Sequence, residues 1–226
     1  MSPSEWSALW MSLLVGGTAL VMAIVPGVAL GWLFARRSFP GKILLEAMVF
    51  LPLVLPPVVT GYLILVLMGK HGLIGGPLFD ALGLRIVFTW GGMALAGAVV
   101  GLPFLVRAVR LSIEAVPRGL EEASRTLGLG PWKTFVRVTL PLARPGILAG
   151  ALLAFARALG EFGATVMVAP NVDGTRTLAL EIFRQASVPG GEAAVARLAI
   201  ISVTLSLLAL MGTEWLARRT TGGAGP

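Results

Sequence analysis

The chain has 226 residues, of which 56% are hydrophobic and 13% charged, with a mean hydropathy of +0.88. A soluble surface usually requires about a quarter of all residues to be charged, so this composition excludes an ordinary soluble domain and points to an integral membrane protein. The absence of cysteine excludes disulfides and thiolate metal sites, and a single histidine, His71, makes no cluster, so no metal site is expected.

Residues 6–35 carry no charge over thirty positions, and a membrane helix needs roughly twenty. Only Glu5 is charged before this run and no cleavage pattern follows, so a retained helix is expected, kinked at Pro26 and Gly27. Arg36, Arg37 and Lys42 then mark a tight polar turn. The second uncharged run, 47–68, contains Pro52, Pro56, Pro57, Thr60 and Gly61. Prolines remove backbone hydrogen bonds that lipid cannot replace, so this run must face other helices or a cavity. Pro56, Pro57 and Thr60 are therefore candidate pore residues, with a kinked packing helix as the plainer alternative. Residues 69–85 read as a glycine-rich loop that includes His71, and residues 86–106, with Pro103 inside, form the third run.

Beyond Arg107 and Arg110 the pattern changes. A helix is expected to stop near Val116, ahead of Pro117, and a short one to run from Gly119 to Leu127. Gly128 is a natural left-handed cap, Pro131 starts a third helix through Val138, and Pro141 breaks that helix before the next membrane run. Leu120, Ala123 and Leu127 share one face, which suits docking into a groove on a partner; a solvated loop with an incidental helix is the plainer alternative. A fourth membrane helix is expected over 146–168, with Arg157 and Glu161 near its middle. Four residues apart, they lie on one face and can pair. A charge at that depth costs roughly 2.5–3.5 kcal/mol on insertion scales, so the pair faces the bundle interior or water. It serves either passage of a substrate or helix register. A fifth run spans 193–217, and TTGGAGP closes the chain as a flexible tail.

Glu122, Ala123 and Ser124, then Gly128 after three residues, then Val138, Thr139, Leu140 and Pro141 after nine more, resemble the coupling loop of bacterial ABC importer permeases. That family pattern is Glu-Ala-Ala, three residues, Gly, nine residues, Ile-x-Leu-Pro, with Ser124 and Val138 as the departures here. FARALGEFGATVMVAPN from Phe155 and TRTLALEIF from Thr175 resemble the molybdate and sulfate class, with Pro170 where many members have Gly. The chain is thus similar to the permease subunit of molybdate ABC importers. The resemblance implies an all-α integral membrane protein with about five transmembrane helices and the type I importer permease fold. It implies a single transmembrane domain, 1–226, with a coupling loop over 107–144. The implied coupling residues are Glu121, Glu122, Ala123, Ser124, Leu127, Gly128, Leu140 and Pro141. The implied partners are a second copy of the permease, two ATP-binding subunits, an extracytoplasmic oxyanion-binding protein and the lipid bilayer.

With the N-terminus outside, twelve lysines and arginines fall on the cytoplasmic side: Arg36, Arg37 and Lys42, seven between Arg107 and Arg144, and Arg218 and Arg219. Five fall outside: Lys70, Arg85, Arg176, Arg184 and Arg197. This bias orients the chain in a bacterial inner membrane with its C-terminus in the cytoplasm, and explains the net charge of +7 without nucleic acid. No phosphate-binding G-x-x-x-x-G-K-[ST], H-E-x-x-H or G-x-S-x-G occurs, so the chain is expected to be a pore subunit rather than an enzyme, with no cofactor of its own and with ATP and Mg on the partner ATPase. A sulfate-class or other oxyanion permease remains open within the importers. A stand-alone channel or secondary transporter is the competing class, disfavoured by the coupling pattern and by the lack of further intramembrane acids.

Overall fold

The computed structural model describes residues 2–221, with side chains described as far as Trp215. Every regular element among them is helical. The first is α1, Pro3–Arg36, started by a reciprocal cap in which Glu5 N donates to Ser2 Oγ at 3.3 Å and Ser2 N to Glu5 Oε2 at 2.8 Å. It continues unbroken through Pro26. Next come α2, Lys42–Phe50, a short 3₁₀ turn at Leu51–Leu53 and α3, Pro57–Met68. Together they make up the expected second run, bent by 113° at the break. The bend sits where Pro56 and Pro57 remove two consecutive backbone donors.

Helix α4, Gly75–Leu82, corrects the expectation of a structureless glycine-rich loop over 69–85. The glycines set the geometry of that segment without abolishing the helix, because PLFDAL after Gly76 is sound helical sequence, and Gly83 at φ 66° supplies its left-handed stop. The longest core helix is α5, Trp90–Glu114, capped by Thr89, whose hydroxyl accepts from Gly92 N at 3.2 Å. Helix α6, Arg118–Thr126, is followed by Gly128 at φ 87° and by α7, Pro131–Thr134, with proline in the first turn as expected.

Pro141 does not break the chain as expected. α7 passes through a wide π-type turn at Phe135–Thr139 straight into α8, Leu140–Leu159, so one helical stretch runs over Pro131–Leu159. In the wide turn Leu140 N reaches back five residues to Phe135 O. That register gives the Pro141 ring room beside the preceding carbonyls and demands no donor from it. The far end also differs from expectation. α8 stops at Leu159, the chain unwinds over Gly160 to Phe162, and α9, Gly163–Val168, follows. Two more helices complete the chain, α10, Leu178–Ala186, and α11, Glu192–Thr221, which takes in the first two residues of the expected tail; 222–226 lie outside the described residues.

Among the described residues four helices are long and apolar enough to cross a membrane, and five spans result if the bent pair α2 and α3 counts as one. α5 lies at the centre, packed on α1 along one side and on α8 along another, with Leu105, Val109 and Ile113 fully buried. Small residues allow the approach. A Cβ on Gly27 would come within 2.5 Å of Leu105, and one on Gly31 within 2.5 Å of Val109. Tight approach through small residues is what holds helices together where lipid provides no hydrophobic drive. Gly31→Val should therefore cost about 1–3 kcal/mol and lower the melting temperature in detergent, whereas Gly17→Val, with open space around it, should leave it unchanged. Equal melting of the two variants would contradict this packing.

Candidate functional site: a knob and two facing helix breaks

The segment from Pro117 to Pro141 folds back on the bundle through one buried carboxylate. Glu121 is 6% exposed. Its Oε1 accepts from Arg36 Nε at 3.1 Å and from Thr139 Oγ1 at 2.7 Å, while Arg36 Nη2 donates to Val116 O at 2.9 Å. One carboxyl oxygen thus joins the end of α1, helix α6 and the wide turn before α8. A second buried link runs from Ser124 Oγ to Glu121 O at 2.8 Å and to Thr134 Oγ1 at 2.9 Å. Trp32, Arg36, Arg37, Arg118 and Glu122 border a cavity of about 250 Å³ beside this node.

The expected coupling residues therefore divide by orientation. Glu121 and Ser124 face inward and hold the knob. Glu122, Ala123, Leu127 and Pro141 are exposed, and Leu140 is half-buried against the core. Leu120, Leu127 and Trp132 project large apolar surface from the knob, Leu127 at 84% exposure. Gly128 adopts the positive φ that non-glycine residues resist. Arg36 and Thr139 act with Glu121 and were not singled out from sequence. The available signal was the three-residue spacing that places Glu121 and Ser124 on one face of α6.

The second group of expected residues lies where two interrupted helices meet. The break before α3 and the break before α9 oppose each other: a Cβ on Gly163 would meet Pro57, and one on Gly61 would meet the backbone of Ala164. Pro56 and Pro57 are exposed beside this contact. Thr60 is buried, and its Oγ1 has no hydrogen-bond partner among the described residues. Glu161 sits in the unwound stretch and not at mid-helix, and this is why a carboxylate is tolerated there. Its Oε1 accepts from Ala164 N at 2.8 Å, its carbonyl accepts from Thr165 Oγ1 at 2.9 Å, and its Oε2 is 2.6 Å from Arg157 Nη1. The expected pair thus forms, with Glu161 2% exposed and the Arg157 side chain 32% exposed.

Arg107 completes this region. It continues the face of α5 that carries Ala96 and Val100, both buried against α3 and α9. Two turns past that cover, Arg107 is exposed and has no ion-pair partner among the described residues. Nearby, Arg110 is bound by Glu46 at 3.0 Å and Glu114 at 2.8 Å.

At the opposite end of the bundle two further carboxylates act as ties. Glu5 accepts from Arg197 at 2.6 Å, joining α1 to α11, and Ser12 Oγ accepts from Leu178 N at 2.7 Å, joining α1 to α10. Glu181 is held by Arg184 at 2.6 Å and Gln185 at 2.8 Å. Burial pushes its carboxyl upward, but these hydrogen bonds and the charges of Arg184 and Arg176 outweigh burial and leave it below the ordinary value of 4.5. A lowered folded value means this tie is fully present above pH 4.5 and is lost as pH falls through the lowered value. Among the described residues no group of three or more potential metal ligands occurs.

Membrane-length helices with two opposed breaks inside the bundle and a braced polar knob at one end define a polytopic transport subunit. The chain belongs to the family of binding-protein-dependent transport system inner membrane components, which matches residues 27–222. It is 48% identical over 226 residues to the molybdenum transport system permease protein ModB of Escherichia coli K12, covering 100% of this chain and 99% of that one. It is 41% identical over 209 residues to the sulfate transport system permease protein CysW of Synechococcus elongatus, covering 90% and 73%. Its fold matches a subunit of the inward-facing MetNI methionine ABC transporter with a TM-score of 0.70 at 19% identity, covering 97% of this chain and 99% of that one. The fold is accordingly that of type I ABC importer permeases.

The two orientations within the knob separate by substitution. Glu121→Ala leaves Arg36 without its carboxylate in a buried setting and should cost about 3–5 kcal/mol, read as an earlier thermal transition of the purified chain. Glu122→Ala, fully outside, should fall within about 0.5 kcal/mol of the parent. Equal effects would remove the inward assignment of Glu121. For the helix break, Arg157→Gln alone should lower stability and uptake more than Arg157→Gln with Glu161→Gln, because the single change strands a buried carboxylate. A double variant no better than the single one would dismiss the pairing as a structural determinant.

Proposed function

We propose that two copies of this chain form the membrane pathway of an ATP-driven importer of molybdate, and of the chemically similar tungstate. Two separate ATP-binding subunits would dock on the knob, and an extracytoplasmic binding protein would deliver the anion. The observation that carries this reading is the braced knob, a helix–Gly–helix element anchored through Glu121 to two membrane helices while Leu127 and Trp132 at its tip are exposed. Such an element has no use in a stand-alone channel. Identity of 48% across the full length with a molybdenum permease, against 41% over a shorter match with a sulfate permease, supports molybdate over sulfate.

The remaining assignments follow the same logic. The basic residues of 36–42 and 107–144 meet at the knob end, as the Arg36–Glu121 and Arg110–Glu46 pairs illustrate, and the positive-inside bias supports an orientation with that end and the C-terminus in the cytoplasm and the N-terminus outside. Residues 107–144 then serve as the coupling segment, with Leu120, Glu122, Ala123, Leu127 and Gly128 meeting the ATPase and Glu121, Ser124, Leu140 and Pro141 fixing the segment to the bundle. ATP and Mg belong to that partner. The second copy covers α2, which has no buried residue, and the exposed apolar face of α3 around Val58 and Tyr62. The path runs past Pro56, Pro57, Thr60 and the Arg157–Glu161 pair toward Arg107, whose unpaired charge suits a dianion. Closure of the ATPases moves the knob as a rigid body together with α1 and α8.

The test is ATP hydrolysis by the reconstituted permease, ATPase and binding protein with molybdate, tungstate or sulfate. Hydrolysis should rise severalfold with molybdate or tungstate and stay basal with sulfate. The rise should vanish in a Glu122→Ala, Gly128→Asp variant that still inserts and dimerises. Stimulation by sulfate alone would transfer the role to the sulfate class, and failure of any ATPase to associate would refute the importer reading.

A further inference from the structure

At the end of the bundle away from the knob, the segment between α3 and α5 encloses a cavity of about 190 Å³ bordered by Lys70, Phe79, Arg85 and Phe88. Lys70 Nζ lies 4.7 Å and Arg85 Cζ 5.3 Å from the centroid of the same Phe79 ring. Neither forms an ion pair among the described residues, whereas Arg36, Arg110 and Arg197 elsewhere in the bundle each hold a carboxylate. Two cations share one aromatic platform and neither is in ion-pair contact with a carboxylate; Asp80, the neighbour of Phe79, does not border the cavity. The cavity wall is therefore cationic.

The surroundings identify the class of anion. Helix α4 forms the rim of the bundle and buries only Gly75, while Leu73 just before it and Leu82 at its end are 82% and 66% exposed. Phe88 is held at φ 61°, a conformation costly for a bulky side chain, by donating its N–H to Val168 O at 2.9 Å, and its ring is left exposed next to exposed Trp90. The cavity thus lies where the uncharged α3 ends and the core helix α5 begins. Exposed leucines, two aromatic rings and two cations around one cavity match acyl chains, the interfacial belt and a lipid phosphate. A soluble oxyanion would find the cations but would leave the surrounding apolar surface in water.

We infer that Lys70, Arg85 and Phe79 form a site for the phosphate headgroup of an anionic phospholipid, seated on the rim formed by α4. This assignment is independent of the transported substrate. It can be tested by native mass spectrometry of the full-length chain in detergent, titrated with phosphatidylglycerol or phosphatidylcholine of the same acyl chains. Phosphatidylglycerol should bind in preference to phosphatidylcholine. Lys70→Gln with Arg85→Gln should weaken it on the order of thirtyfold, from about fivefold per basic residue, while Lys70→Arg with Arg85→Lys should retain the preference. Both residues are exposed, so neither pair of changes disturbs the core. Equal binding of the two lipids by the parent chain, or a preference that survives the glutamine pair, would overturn the site. Displacement of phosphatidylglycerol by excess inorganic phosphate would overturn its assignment to lipid and make it a free-anion site; this arm and the parent comparison require no variant.

Discussion

A backbone in lipid must satisfy its own hydrogen bonds, and the architecture of this chain follows from where it fails to do so. The helical ladder is interrupted before α3 and again before α9, and these two interruptions are set against one another, with Pro57 on Gly163 and Gly61 on Ala164. Neither break is tolerable against hydrocarbon. Each is supported by specific groups: Glu161 takes the Ala164 N–H, Thr165 returns a hydroxyl to the Glu161 carbonyl, and α5 closes the back of the site with Ala96 and Val100. The glycines of α1 matter for the same reason. They let α5 sit deep in the bundle, so that one face of it can cover the breaks while another is gripped by α1.

Charge is used here mainly as fastening. Glu121 bridges three elements at the knob end, Glu5 joins α1 to α11 at the other end, and Glu181 is held within α10 by Arg184 and Gln185. At that other end the carboxylate is the buried member and the more exposed arginine reaches toward solvent, which limits the desolvation penalty. At the knob both members are largely buried, and the hydrogen bonds from Thr139 to Glu121 and from Arg36 to Val116 O offset the cost. Fastening at Glu121 also has a mechanical consequence. A load applied to Leu127 or Trp132 passes through α6 to the end of α1 and the start of α8, the two helices that flank α5.

Local chemistry was legible in the sequence, and long-range satisfaction was not. Gly128 could be read as a left-handed stop and Pro131 as a first-turn proline because each depends only on its own backbone. The bend near Pro56 and Pro57 was likewise legible as disruption, although its 113° angle was not. The reading failed at Pro141, where a wide turn five residues long absorbs the proline, and at 69–85, where glycine content concealed α4. Glu161 could be paired with Arg157 by spacing, yet its place in an unwound stretch depends on α3 packing from across the bundle. Orientation on α6 was not legible: Glu121 and Glu122 are adjacent and alike in sequence, and only the partners Arg36 and Thr139, 85 and 18 residues away, distinguish the brace from the exposed surface.

The distribution of charge along the proposed path bears on how a dianion could be passed without being trapped. A fixed, unpaired cation deep in the membrane would bind such an ion tightly and slow its release, and conduction needs sites weak enough to leave. Arg157 is placed deep but is already balanced by Glu161 at 2.6 Å, so its net attraction is small. Arg107 has no ion-pair partner among the described residues but lies two turns beyond the covered part of α5, where it is exposed. Neutralised charge near the breaks and free charge past them would form a gradient that favours exit toward the knob end. The same bundle that must hide its broken backbone from lipid thereby avoids holding its cargo, since the group that repairs the break, Glu161, is also the one that cancels the deep arginine.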